Sequence, residues 1–333
     1  MSAAPPDSGA PLGGSHEAPH EAPHEARLDS PLVNSSPTAT RATGLARTVR
    51  GAFTGGSLVA PATLVVLLVI VLPGLQLIRY SFNRFDPVEM MSAATTGANY
   101  VKFFTDPYYL TVLWTTIKVA SLCTALALVF GFPVAYVLAR TQSRFKSLLV
   151  MLLVFPLLVG NVVRAAGWMV MLGNAGFVNS LLVSLGIVAE PVRLLYTPFA
   201  VVVGTTAVVL PYMILTLQSV LEGMDFSVEE AARNLGATFR QTLTRVILPM
   251  AAPGIAAGTM LVFILCMNAY ATPVLLGGTG ITMMTPAIYD QIAKANNWPF
   301  GAVLSIVSMV VTFALAIASH WLIQRRYAKT MMT

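Results

Sequence analysis

Residues able to do polar chemistry gather in one short stretch of an otherwise apolar chain, Glu222-Gly223-Met224-Asp225-Phe226-Ser227-Val228-Glu229-Glu230-Ala231-Ala232-Arg233-Asn234-Leu235-Gly236-Ala237-Thr238-Phe239-Arg240-Gln241. Val228, Ala231, Ala232 and Leu235 recur at i, i+3, i+4 and i+7, so a helix here carries one apolar face, with Glu229, Arg233 and Asn234 on the other. Ser227 and Glu230 have the spacing of a capping box, and Gly236 suits the left-handed residue that closes a helix. Thr238 with Gln241 opens a second helix, which Pro249 interrupts or kinks. The chemistry this predicts is recognition: a short amphipathic helix fits a groove in a partner, or else lies on a membrane surface or packs on its own bundle. Periodicity leaves these three open.

Covalent chemistry finds no support elsewhere in the sequence. There is no G-x-x-x-x-G-K-[ST] phosphate loop to cradle a nucleotide, and no pairing of Ser, His and Asp or of Cys and His. Cys123 and Cys266 both fall inside apolar runs, where they read as small core residues rather than a disulfide or a metal site. His16, His20 and His24 repeat in a Pro/Ala-rich segment that offers a metal no fixed scaffold, so no metal site is expected.

The elements that must position the polar stretch are membrane helices. The chain has 333 residues, only 10% of them charged, and a mean hydropathy of +0.73, whereas about a quarter of a soluble domain is charged. Six segments are long and apolar enough to cross a bilayer as helices: 57–78, 111–139, 147–170, 196–220, 247–276 and 301–323. Continuous rather than alternating apolarity selects helices over barrel strands. The expected fold is therefore an all-α membrane protein, a six-helix domain over 57–325 preceded by a disordered Pro/Ala/His-rich tail over 1–50. That tail is too polar for a secretory signal, and the first apolar run is long enough to stay as an anchor.

A net charge of +6 would suggest nucleic acid in a soluble protein, but here it follows the loops. Arg140, Arg144 and Lys146, then Arg233, Arg240 and Arg245, then Arg325, Arg326 and Lys329 share one side with Arg27, Arg41, Arg47 and Arg50. That side is expected to be cytoplasmic, with both termini in it, and the partner surface is lipid rather than nucleic acid. Within the spans, Asn161, Asn268 and Tyr270 are polar groups that must face other helices or a solute path rather than lipid. Arg164 either faces that path or snorkels to the interface, and snorkelling is the expectation. Carboxylates occur only in loops, as at Asp86, Glu190 and Asp290, so charge matching does not name a solute.

Glu230-Ala231-Ala232, then Gly236, then Val246-Ile247-Leu248-Pro249 resemble the EAA loop of binding-protein-dependent ABC importer permeases, with Val246 standing where that pattern has isoleucine. Gly131-Phe132-Pro133-Val134-Ala135-Tyr136-Val137-Leu138-Ala139-Arg140, Tyr196-Thr197-Pro198-Phe199-Ala200, Thr272-Pro273-Val274-Leu275-Leu276-Gly277-Gly278 and Asn297-Trp298-Pro299-Phe300-Gly301-Ala302 are similar to the spermidine/putrescine branch. Importers of other organic cations, ferric iron, opines or amino-acid derivatives look similar too. The His/Pro tail has no counterpart in the pattern.

The resemblance implies the type I importer permease fold, with a coupling loop formed by Glu229, Glu230, Ala231, Ala232, Arg233, Leu235, Gly236, Leu248 and Pro249. It implies no cofactor on this chain, because ATP and magnesium belong to a separate ABC ATPase dimer. It also implies a second, paralogous permease subunit and an extracytoplasmic solute-binding protein, the whole sitting in a bacterial inner membrane. Asn161, Arg164, Asn268 and Tyr270 are the solute-path expectations. A proton- or sodium-driven transporter is the rival class. It would need ionisable groups inside the spans, and the six segments hold no Asp or Glu, only Lys118, Arg164 and His320. A receptor or scaffold would be favoured only were the loop motif accidental.

Overall fold

The computed structural model describes residues 42–88, 90–92 and 94–330. The chain divides into two units, residues 1–65 and 66–333, and the sites described below belong to the second. The helices in chain order are α1 (Ala42–Ser81), α2 (Ala98–Thr105), α3 (Pro107–Arg140), α4 (Lys146–Leu158), α5 (Asn161–Leu172) and α6 (Phe177–Ser184). They continue with α7 (Pro198–Glu222), α8 (Phe226–Asn234), α9 (Phe239–Thr242), α10 (Leu248–Met267), α11 (Met284–Tyr289) and α12 (Trp298–Thr330). Wider π-helical turns occupy Leu243–Ile247, Pro273–Gly277 and Asp290–Lys294. An isolated antiparallel bridge between Arg84 and Ser92 is the β pairing among the described residues.

Six helical stretches are long and apolar enough to cross a membrane: Ala60–Ser81, Pro107–Arg140, Asn161–Ser184, Pro198–Glu222, Phe239–Met267 and Trp298–Ser319. Two of the expected spans are redrawn. The run 147–170 is not one helix: it breaks at Val159, whose extended backbone ends α4, and at Gly160, which starts α5. The run 247–276 ends at Met267, where the Asn268 side chain donates to the Ile264 carbonyl (2.9 Å), so side chain and backbone compete for the same acceptor. Hydropathy registers neither break because the flanking residues stay apolar. Helix α1 starts at Ala42, inside the stretch assigned to the tail, and residues 1–41, with the His repeat, lie outside the described residues.

Helices α3, α7 and α10 form the centre, with α12 packed on α10. Without a hydrophobic drive between helices in lipid, close approach rests on small residues. A Cβ on Gly254 of α10 would stand 2.4 Å from Val220 Cγ2 of α7, and one on Gly131 of α3 would stand 3.2 Å from Met213 Cγ. Cys123 and Cys266 are free thiols buried in this centre. Three buried hydroxyls there are satisfied along their own helices: those of Thr116, Thr124 and Thr259 donate to the carbonyls of Val112, Ala120 and Ile255 at 2.7–2.8 Å.

Candidate functional site

The connection from α7 to α10 is built from its first residue. Asp225, not Ser227, caps α8: its Oδ1 accepts the Ser227 backbone N–H at 2.9 Å, so the expected Ser227/Glu230 box does not form. A carboxylate two residues earlier is the stronger acceptor and meets the positive end of the helix. That backbone N–H, helped by the Ser227 hydroxyl, holds the Asp225 carboxyl below its ordinary pKa. The far end closes as expected on Gly236 at φ +84°. There the Ala237 N–H reaches the Ala232 carbonyl (3.1 Å) and the Gly236 N–H the Arg233 carbonyl (2.9 Å), a Schellman pair.

Helix α8 buries one carboxylate of its polar face. Glu229, expected on the water face with Arg233 and Asn234, is only 8% exposed. Tyr136 Oη and Arg233 Nη2 both donate to its Oε1 at 2.7 Å, and Arg140 Nη2 pairs with its Oε2 at 2.9 Å. Arg140 ends α3, and its guanidinium lies 4.0 Å from the Phe226 ring centroid and 5.4 Å from that of Tyr136. A buried carboxylate is tolerable only with such partners, and two cations and a phenol supply them. Periodicity could not say that Arg140 on another helix would draw Glu229 inward while Arg233 and Asn234, on the same predicted face, stay exposed.

The consequence is an outward apolar face. Leu235 is 89% exposed and Val228 39%, Glu230 and Ala231 are exposed, and Ala232 is half-buried. Most of the stripe is thus left uncovered by the chain's own bundle. Beyond Gly236 the Thr238–Gln241 capping box is present, and the π turn Leu243–Ile247 leads into α10 without a break. That wider turn is where Pro249, lacking an N–H, is accommodated at the start of α10. Pro249 is buried and Leu248 half-buried, so the end of the motif belongs to the core, not to the exposed face. Beside the loop, Lys146 at the start of α4 pairs with Glu222 at the end of α7 at 2.8 Å, and Gln218 donates to the same carboxylate at 2.9 Å.

The other predicted residues meet at a cavity of about 380 Å³ whose polar lining includes Asn161, Thr205, Tyr212, Asn268, Tyr270 and Thr272. Both helix breaks open onto it: Asn161 begins α5 and Asn268 ends α10. Arg164 is half-buried. Its Nη1 donates to the Val208 carbonyl (3.5 Å) and its Nη2 to Asn161 Oδ1, which sets its charge just behind the wall. Thr205 is 1% exposed and its hydroxyl has no hydrogen-bond partner in the structure. The sequence reading missed Tyr136, Arg140 and Thr205. The spacing of Tyr136 and Arg140, one turn apart at a span's end, was a usable signal, but a buried threonine in an apolar run carries none.

Comparison with known proteins places these features. Residues 124–329 match the family model described as the binding-protein-dependent transport system inner membrane component. The chain is 34% identical over 252 residues to the spermidine/putrescine transport system permease protein PotB of Haemophilus influenzae, covering 76% of this chain and 87% of that one. It is 34% identical over 256 residues to PotB of Escherichia coli K12, covering 77% and 92%. The inner membrane ABC transporter permease protein YdcU of Escherichia coli is 29% identical over 252 residues. Among solved structures, a bacterial alginate ABC transporter in complex with an alginate-pentasaccharide-bound periplasmic protein superposes with a TM-score of 0.67 over 84% of this chain, at 16% identity. The fold is thus that of an importer permease, and the chain belongs to the family of binding-protein-dependent transport system inner membrane components, as a multi-pass ABC importer permease.

Proposed function

We propose that this permease carries a polyamine of the spermidine or putrescine type across the inner membrane, driven by ATP hydrolysed on a separate ATPase dimer. The outward apolar face of α8, fastened through Glu229 to α3, is the observation that supports the drive. A lever needs one surface free for the engine and one rigidly joined to what it moves, and α8 has both. Glu230, Ala231, Leu235 and Gly236 would seat in or shape the ATPase contact, while Glu229 and Arg233 transmit its displacement. A paralogous second permease completes the path, and a solute-binding protein delivers the amine from outside. No cofactor is bound by this chain itself. Positive charge around α8 and after α12 supports a cytoplasmic location for this loop and for both termini. The polyamine assignment is supported by the names of the relatives at 34% identity.

Co-expression with its neighbouring ATPase, permease and binding-protein genes tests the reading. Uptake of labelled spermidine or putrescine should require both the binding protein and a hydrolysis-competent ATPase. Uptake that persists without the ATPase would remove the ATP-driven reading, and uptake of neither amine would remove the substrate.

A further inference from the structure

Tyr270 lines the 380 Å³ cavity and packs with tilted rings, 5.1 Å between centroids and 54° between planes, on Tyr289 at the end of α11. The next residue, Asp290, holds the ammonium of Lys294 at 2.7 Å. The hydrogen-bonded Asp290 carboxylate raises the Lys294 pKa. A primary alkylammonium thus already sits against a carboxylate that follows Tyr289 in the chain, and Tyr289 packs on Tyr270 of a cavity that has no carboxylate in its own lining.

From this juxtaposition we infer that Tyr270, Tyr289 and Asp290 form a receiving station for one ammonium end of the transported amine, with Lys294 as a resident stand-in that the substrate displaces. The inference rests on the polyamine reading above. An exposed i,i+4 ion pair is weak and exchanges readily, and Lys294 is 69% exposed at its side chain, so displacing it costs little. The aromatic pair favours an alkylammonium over a strongly hydrated inorganic cation. In the same lining, Val162, Val208 and Leu265 offer the methylene chain an apolar wall. The buried, unpartnered Thr205 hydroxyl can accept from a second amine N–H.

The test is uptake of labelled spermidine and putrescine by the complete complex, alongside binding-protein-stimulated ATP hydrolysis. Asp290→Asn should lower uptake at subsaturating amine about tenfold while stimulated hydrolysis stays within about twofold. Lys294→Met, which frees the carboxylate, should leave uptake unchanged or raise it. A merely structural ion pair would make both substitutions lose uptake alike, and that result overturns the station. Asp290→Asn transporting at the wild-type rate overturns it also, while leaving the polyamine reading intact. If the wild-type complex takes up neither amine, the substrate reading and the station fall together.

Discussion

Glu229 is the residue on which the loop turns. Replacing it with Gln keeps the shape but leaves Arg140 half-compensated at the end of α3, a loss of about 3 kcal/mol on the usual scale for breaking a buried pair. The variant should still insert in the membrane, while protease cuts between Glu222 and Gln241 much faster; equal protection would mean that the ion pair does not anchor α8. Tyr136→Phe removes one hydrogen bond to a charged acceptor and should cost less, about 1.5 kcal/mol. Asp225 gives a pH prediction whose sign follows from its lowered pKa. Its stabilisation is complete above the unfolded value near 3.9 and is lost as pH falls through the lower folded value. The exchange protection factor of the Ser227 amide, which corrects for the intrinsic pH dependence of exchange, should therefore be steady between about pH 5 and 8 and fall under acid conditions. In Asp225→Asn the acid-dependent fall should disappear, and its survival would remove Asp225 as the cause.

At the level of elements, α8 depends on a turn that only some residues make. A Cβ on Gly236 meets nothing within 4 Å, so the cost of substitution is the left-handed backbone at φ +84° alone. Gly236→Asn should be mild, Gly236→Ala should cost about 1 kcal/mol, and Gly236→Val more, in that order of coupled transport. Reversal of the order would point to a steric rather than a conformational role. Leu235→Asp changes nothing inside the fold, since the side chain is 89% exposed. It should leave thermal stability unaltered yet reduce co-purification of the ATPase severalfold, and normal co-purification would remove the apolar face from the docking surface. The contact of α7 with α10 is tested at Gly254, where Ala would collide with Val220. Gly254→Ala should lower the melting temperature, and adding Val220→Ala should restore most of it; an absence of rescue would place the damage elsewhere.

For the whole molecule, the sidedness proposed from charge is open to reporter fusions. A fluorescent protein after Thr333 should mature in the cytoplasm, and alkaline phosphatase fused near Glu190 should be active outside; the opposite pattern would invert the topology. Membrane class and helix count were readable directly, because lipid tolerates no unpaired backbone and so forces long apolar runs into helices. The loop's motif, its Gly236 turn and the Thr238 box were equally plain, since capping and left-handed turns are decided by a few neighbouring residues. Tertiary structure alone decided that Glu229 faces inward, because its partners Tyr136 and Arg140 stand 93 and 89 positions away in the chain. It alone joined Asn161 and Asn268, on helices far apart in sequence, at one cavity, and turned Arg164 toward the bundle. Local propensity is written in adjacent residues, whereas the solvation of a buried charge depends on whichever groups the packed helices bring beside it.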